Sequence, residues 1–366
     1  MLQAYLVYFF LLFVMVLFAR KSVRLSLCEQ RKLPVYHLTI LLPILIFTTV
    51  IGCRYMVGVD YYEYLEILEE SRDGFKAHQL EFFFKYLIFF ISDHQFHFAW
   101  FFIVSAFVQI FFFYRAFDKT IFMLLPFAVA TFLMTELGAL ENGIRQIAAL
   151  MIFFYALTFI KKKEFVKYLL MILLGALFHK SILICIPLYW VLNRNLFRNV
   201  IFQYVLLVIV ILAAPLLLTI FLGRFDMFIS AFNYSHYSDQ LQVEGEGGIG
   251  FYATWAINFL ILAFFPALKR YYKENGFMIY WNLFYIGLLL KPLTDFIHVF
   301  SRINWYFYKF RFLILAFLLY HLFQNRKEPI NLFFFCFFLA ATIIFFVYEI
   351  YVGAHLMSPF YFIWQQ

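Results

Sequence analysis

Apolar runs of 15 to 24 residues, separated by short polar stretches, recur along the chain from Leu2 to its last residues. About 20 such residues wound as a helix cross a hydrocarbon core roughly 30 Å thick. The runs are uniformly apolar where barrel strands would alternate, so they predict helices. Spans are expected near 2–19, 35–51, 96–114, 120–138, 143–160, 164–178, 180–193, 199–222, 251–268, 277–299, 303–323 and 330–352. The predicted fold is all-α: a polytopic integral membrane protein of about 12 transmembrane helices, one transmembrane helical domain over 1–366, with two larger extracytoplasmic loops near 52–95 and 223–250. The apolar stretch 81–92 has only 12 residues and reads as re-entrant or interfacial, with a tilted span as the alternative. Phe178-His179-Lys180-Ser181 interrupts an apolar stretch over 165–192 that is too long for one helix, and a break is predicted there.

Composition fixes the solvent. Of 366 residues, 65% are hydrophobic and 14% charged, more apolar matter than a water-soluble globule of this size buries. The first run lacks a basic start and a small-residue cleavage site and reads as a retained helix. Cys28, Cys53, Cys185 and Cys336 are scattered, which suggests neither a disulfide framework nor a zinc site. There is no internal repeat and no soluble domain, and the run from Glu244 to Gly250 reads as a mobile loop or lid.

The net charge of +8 matters through its placement. With 81–92 re-entrant or interfacial, 18 of the 29 basic residues fall in loops on one face, with five acids, giving +13 there and −5 elsewhere. The positive-inside rule makes that face cytoplasmic and both termini external. Arg54, Asp60, Glu81, Glu141, Arg145, His179, Lys180, Asp295, His298 and Arg302 then map to the outer ends of spans. Charges at membrane depth cost about 2.5–3.5 kcal/mol each and face a cavity or a partner.

Each group has a bland account beside the chemical one. Arg54 offers a fork suited to phosphate, or is an interfacial anchor. Glu141 and Arg145 stand four apart, which suits an intrahelical ion pair as well as an arginine oriented for a ligand. His179 is a candidate base or a structural interfacial histidine. Asp295, Arg302 and Lys309 are spaced by sevens, with His298, Tyr306 and Arg311 nearby, so one helix face collects them toward a hydrated cavity, or the cations snorkel.

Taken in order, Arg54, Gly58-Val-Asp60-Tyr61, Glu81, Arg145-Gln146, Phe178-His179-Lys180-Ser181, Ser301-Arg302-Ile-Asn-Trp-Tyr306-Phe307 and Ser358-Pro359-Phe360-Tyr361 resemble the EpsG family of bacterial polysaccharide polymerases, related to Wzy. The motifs are short and their order carries the resemblance, which covers nearly the whole chain. Val59 departs from the threonine common there. The resemblance implies polymerisation of undecaprenyl-diphosphate-linked oligosaccharide for exopolysaccharide, capsule or O-antigen. The site would face outward from the bacterial cytoplasmic (inner) membrane, which the chain crosses many times. It implies His179 as catalytic base, with Asp60 and Glu141 as the other candidates, and Arg54, Arg145 and Arg302 on the diphosphate. Tyr61, Gln146, Lys180, Tyr306 and Lys309 would contact substrate. No cofactor, metal or nucleic acid is expected; membrane lipid, a flippase and a chain-length regulator are candidate partners. A flippase of the same lipid-linked unit, or a related membrane glycosyltransferase or ligase, is the alternative.

Overall fold

The computed structural model describes residues 1–72, 80–232, 248–273, 275–295 and 298–365. The expected single helical domain divides into two compact units, one of residues 1–189 with 315–366 and the other of 190–314.

In the first unit, α1 (Leu2–Cys28) buries Ala4, Tyr8, Leu11, Met15 and Ala19 on one face and leaves Leu2, Leu6, Phe10 and Phe13 exposed on the other. That split is the helical period of a span with one face on protein and one on lipid. The α2 helix (Leu38–Gly52) is tied to α1 by the Ser22 hydroxyl, 2.8 Å from that of Thr39. A two-residue strand β1 (Arg54–Tyr55) leads into α3 (Asp60–Arg72), and α4 (Phe82–Asp93) follows. The expected outer loop 52–95 is therefore largely helical. At 12 residues, α4 is about 18 Å long and too short to cross a bilayer alone.

Helices α5 (Ala99–Ala116), α6 (Leu125–Asn142) and α7 (Ile144–Lys161) form the core, and α7 is buried over almost all of its length. The buried Gln109 of α5 donates from one amide nitrogen to the carbonyls of Leu140 and Ile144, both at 3.3 Å, and so holds the α6–α7 junction. The α8 helix (Phe165–Ala176) then stops, His179 is extended, and a 3-10 turn over Lys180–Cys185 leads to the short α9 (Leu188–Val191). The break predicted at this motif is present.

In the second unit, α10 (Val200–Phe232) precedes α11 (Ile249–Ala263) and α12 (Phe265–Tyr271), which bend by 49° at Phe264. The expected span 251–268 is thus broken, because Pro266 caps a new helix. Next come α13 (Phe277–Thr294) and α14 (His298–Tyr308). They lie so close at Gly287 that a Cβ there would stand 2.6 Å from the Cα of Tyr308. The chain passes back to the first unit along α15 (Arg311–Gln324), and α16 (Pro329–Val352) belongs to that unit. Beyond them Tyr361–Phe362 forms β2, antiparallel to β1, with Arg54 opposite Phe362.

Eight helices among the described residues are long and apolar enough to cross a membrane, nine if the bent pair is one span. The difference from twelve arises at 35–51, 164–178 and 180–193, where the helices have 17 or fewer residues. Hydropathy reports solvent preference and is blind to where a helix stops. Of the expected lid, 244–247 lie outside the described residues, as does most of the loop 223–250.

Candidate functional site

Two polar clusters lie side by side in the first unit, one sealed and one reachable. The sealed cluster is built on Arg54, whose residue is 1% exposed. Its guanidinium donates to the carbonyls of Ile51 (2.6 Å), Val57 (3.1 Å) and Glu141 (3.0 Å), and it lies over the Phe102 ring at 4.7 Å. The fork read as a phosphate ligand is spent on main-chain carbonyls, so Arg54 holds the loop instead. Glu141 is fully buried and accepts from the Tyr8 hydroxyl at 3.0 Å; the same hydroxyl lies 3.0 Å from the Met357 carbonyl.

Asn142 completes this knot. Its side-chain oxygen accepts from the amides of Val59 and Asp60, and its nitrogen donates to the carbonyls of Gly138 (2.6 Å) and His355 (3.2 Å). Gly58, at φ +98°, donates its amide to the Leu356 carbonyl at 3.2 Å, and a Cβ there would meet the Glu141 carbonyl. Only glycine accepts that backbone without strain. The buried Tyr61 stacks on Phe102 at 4.6 Å and 7°, and Gln146 is buried within α7. Glu141, Tyr61 and Gln146, expected as base and substrate contacts, are thus interior residues in this structure. Asp60 is half-buried at the start of α3.

The reachable cluster is centred on Glu81. Its carboxylate takes Arg145 Nη1 at 2.6 Å on one oxygen and meets His179 Nδ1 at 2.7 Å on the other. Arg145 also donates from Nε to the Tyr64 hydroxyl at 3.0 Å. The chain brings these groups together through local breaks. Gly143 separates α6 from α7 and sets Arg145 in the first turn, so the expected Glu141–Arg145 helical pair does not form. The Phe83 amide donates to the Leu177 carbonyl at 3.0 Å and the Phe83 ring stacks on Phe178 at 4.2 Å, which pins the start of α4 to the end of α8.

Burial pushes the Glu81 carboxyl up, but the hydrogen bond of His179 and the charge of Arg145 outweigh it and hold it down to about 2. A carboxylate ionised at neutral pH can only accept, so His179 carries a proton on Nδ1 in this pair, and the neutral form of that ring has its lone pair on Nε2. Burial raises Tyr64 to about 12 against the pull of Arg145, so its hydroxyl stays protonated. Side chains of Arg145 and His179 keep 23% and 22% of their surface, enough to touch a ligand. Lys180 is exposed beside them in sequence, and a shallow hollow of about 510 Å³ lined by Phe82, Phe83, Tyr86 and Phe90 begins one residue after Glu81.

The remaining candidates belong to the second unit. Asp295 pairs with Lys291 at 2.7 Å, and the ammonium of Lys291 lies 5.0 Å from the Tyr308 ring centre. Arg302 is half-buried on α14, Tyr306 is buried there, and Lys309 follows in the break before α15, 4.4 Å from the Trp305 ring centre. Asp295 closes one helix while Arg302 sits on the next, so the spacing by sevens does not trace one face. The side chain of His298 lies outside the described residues. Glu81 was legible only as one of several outer acids. Tyr64 had a weak signal, four positions after Asp60 on one helix face, while Tyr8 in a uniform apolar run had none. Lys291 could have been noticed as a lysine ending an apolar run before a proline.

A family model described as EpsG family matches residues 37–362. No curated protein and no solved structure matches the chain.

Proposed function

This chain belongs to the EpsG family of Wzy-like polymerases in polysaccharide biosynthesis, and from that premise we propose that it lengthens a polyprenyl-diphosphate-linked glycan at the outer face of a bacterial cytoplasmic membrane. The observation that carries the assignment to a site is the Arg145–Glu81–His179 cluster, which joins a cation, an orienting carboxylate and a free imidazole nitrogen.

In this reading the acceptor sugar presents a hydroxyl to His179 Nε2. As its oxygen bonds to the anomeric carbon of the donor, its proton passes to the imidazole. The bond from that carbon to the diphosphate breaks, and the electron pair leaves with undecaprenyl diphosphate. Arg145 has Nε and Nη1 engaged and its other terminal nitrogen left to meet the departing phosphate. Glu81 stabilises the imidazolium as it forms and keeps the ring oriented. Asp60 and Lys180 are further contacts of the sugar or phosphate, and the aromatic hollow on α4 suits a sugar face or a prenyl chain. Arg302 retains its proposed affinity for phosphate on the strength of its motif.

The test is elongation by purified protein supplied with lipid-linked repeat units in detergent. A product ladder, lost in Arg145→Ala and His179→Ala with protein yield unchanged, is expected. A full ladder from both variants would overturn the assignment of the site.

A further inference from the structure

In the second unit, the segment before α10 and the turn after α12 enclose a cavity of about 580 Å³. Five cations line it: Arg194, Arg198, Lys269, Arg270 and Lys273. No carboxylate is among its described lining residues; Glu274, which follows Lys273, is not one of the residues the structure describes. Three cations of other basic loops, Arg31, Lys161 and Lys167, each meet a carboxylate at 2.8–3.0 Å. The positive-inside bias explains why basic residues occupy these loops but not why five converge on one hollow.

The walls are built. Asn282, fully buried, donates to the carbonyls of Leu192 (2.9 Å) and Arg194 (2.8 Å) and fixes the first segment. Gly276, at φ +68°, turns the chain between Lys273 and α13. The buried Phe265, packed on Trp281 at 4.6 Å, gives the cavity an apolar floor. Two residues beyond Arg198, α10 begins and exposes Ile201, Phe202 and Val205, the surface an acyl chain would cover.

We propose that this cavity binds the headgroup of an anionic membrane phospholipid, with its phosphate among the arginines and lysines and its tails along the exposed start of α10. In the orientation read from the charge bias it opens on the cytoplasmic leaflet. The site is independent of the polymerase reading. Basic hollows between membrane helices on that side suit phosphorylated headgroups, and α10 supplies what a soluble phosphate has no use for.

The experiment is native mass spectrometry of the full-length protein in detergent with short-chain phosphatidylglycerol, short-chain phosphatidylcholine or inorganic phosphate. Selective retention of phosphatidylglycerol is expected, weakened roughly thirtyfold by R270Q combined with K273Q, at about fivefold per cation. M278W, which crowds the cavity and leaves every charge in place, should also weaken it, while K162Q with K163Q should not. Equal retention of phosphatidylcholine, or insensitivity to both cavity variants, would overturn the proposal. Displacement by an equal concentration of inorganic phosphate would overturn the lipid as occupant. So would binding of an acidic peptide with no phosphatidylglycerol retained.

Discussion

Replacing Glu81 by glutamine keeps the volume and one acceptor oxygen but removes the charge on which Arg145 and His179 converge. The carboxyl falls from an ordinary 4.5 to about 2, which at 1.36 kcal/mol per unit is about 3 kcal/mol of interaction in favour of the ionised form. A count of bonds agrees. Two charge-assisted bonds at 2.6 and 2.7 Å are worth about 1.5–3 kcal/mol each, and the amide retains one of them. Thermal unfolding in detergent should therefore show Glu81→Gln destabilised by about 2 kcal/mol at neutral pH. A depressed carboxyl contributes its stability in full above its unfolded value near 4.5 and loses it as pH falls toward 2. The gap between wild type and variant should hold above pH 5 and shrink between pH 4.5 and 2. The effect on elongation should be larger, because an amide nitrogen facing Nδ1 favours the tautomer with its proton on Nε2, which cannot accept from a hydroxyl. A loss of about 10²–10⁴ in kcat is expected, the range for a displaced general base. Wild-type elongation by Glu81→Gln would refute the reasoning, and so would a stability gap indifferent to acid.

Arg54→Ala should leave three buried carbonyls without a donor and cost about 3 kcal/mol or more, read as poor yield and a lower melting temperature; a stable variant lacking only activity would contradict the structural role. Tyr8→Phe removes the hydroxyl from buried Glu141 and should cost about 1–3 kcal/mol in the same measurement, with no change of acceptor specificity in the product. Gly287→Ala should force α13 from α14 and cost about 1–3 kcal/mol, and an unaltered melting temperature would show that the two helices do not pack this closely.

The helical, membrane-embedded fold was legible because lipid demands apolar surface and internally bonded backbone, and both are written in composition. The break at His179 was legible for a related reason, since a His-Lys pair cannot sit in the middle of an apolar helix without cost. What the sequence left ambiguous was partner choice. Spacing offered Arg145 a glutamate one turn away, but Gly143 ends the helix between them, and the partner is Glu81, 64 positions earlier. Spacing likewise could not tell the fork of Arg54 from that of Arg145. They differ in what surrounds them: three carbonyls and a ring for one, a carboxylate, a phenol and open surface for the other.

The hydroxyl of Tyr8 meets the carbonyl of Met357 across 349 positions of chain, and β1 meets β2 over a comparable interval. A ribosome feeding this chain into a membrane delivers the Arg54 loop early and its last supports late. Through most of synthesis, then, the interior charges Arg54 and Glu141 lack part of the frame that later holds them. A membrane insertase that shelters them until residues near 357–362 emerge would decide how much of the protein matures, and stalling within that interval should yield an inserted chain with its inner knot untied.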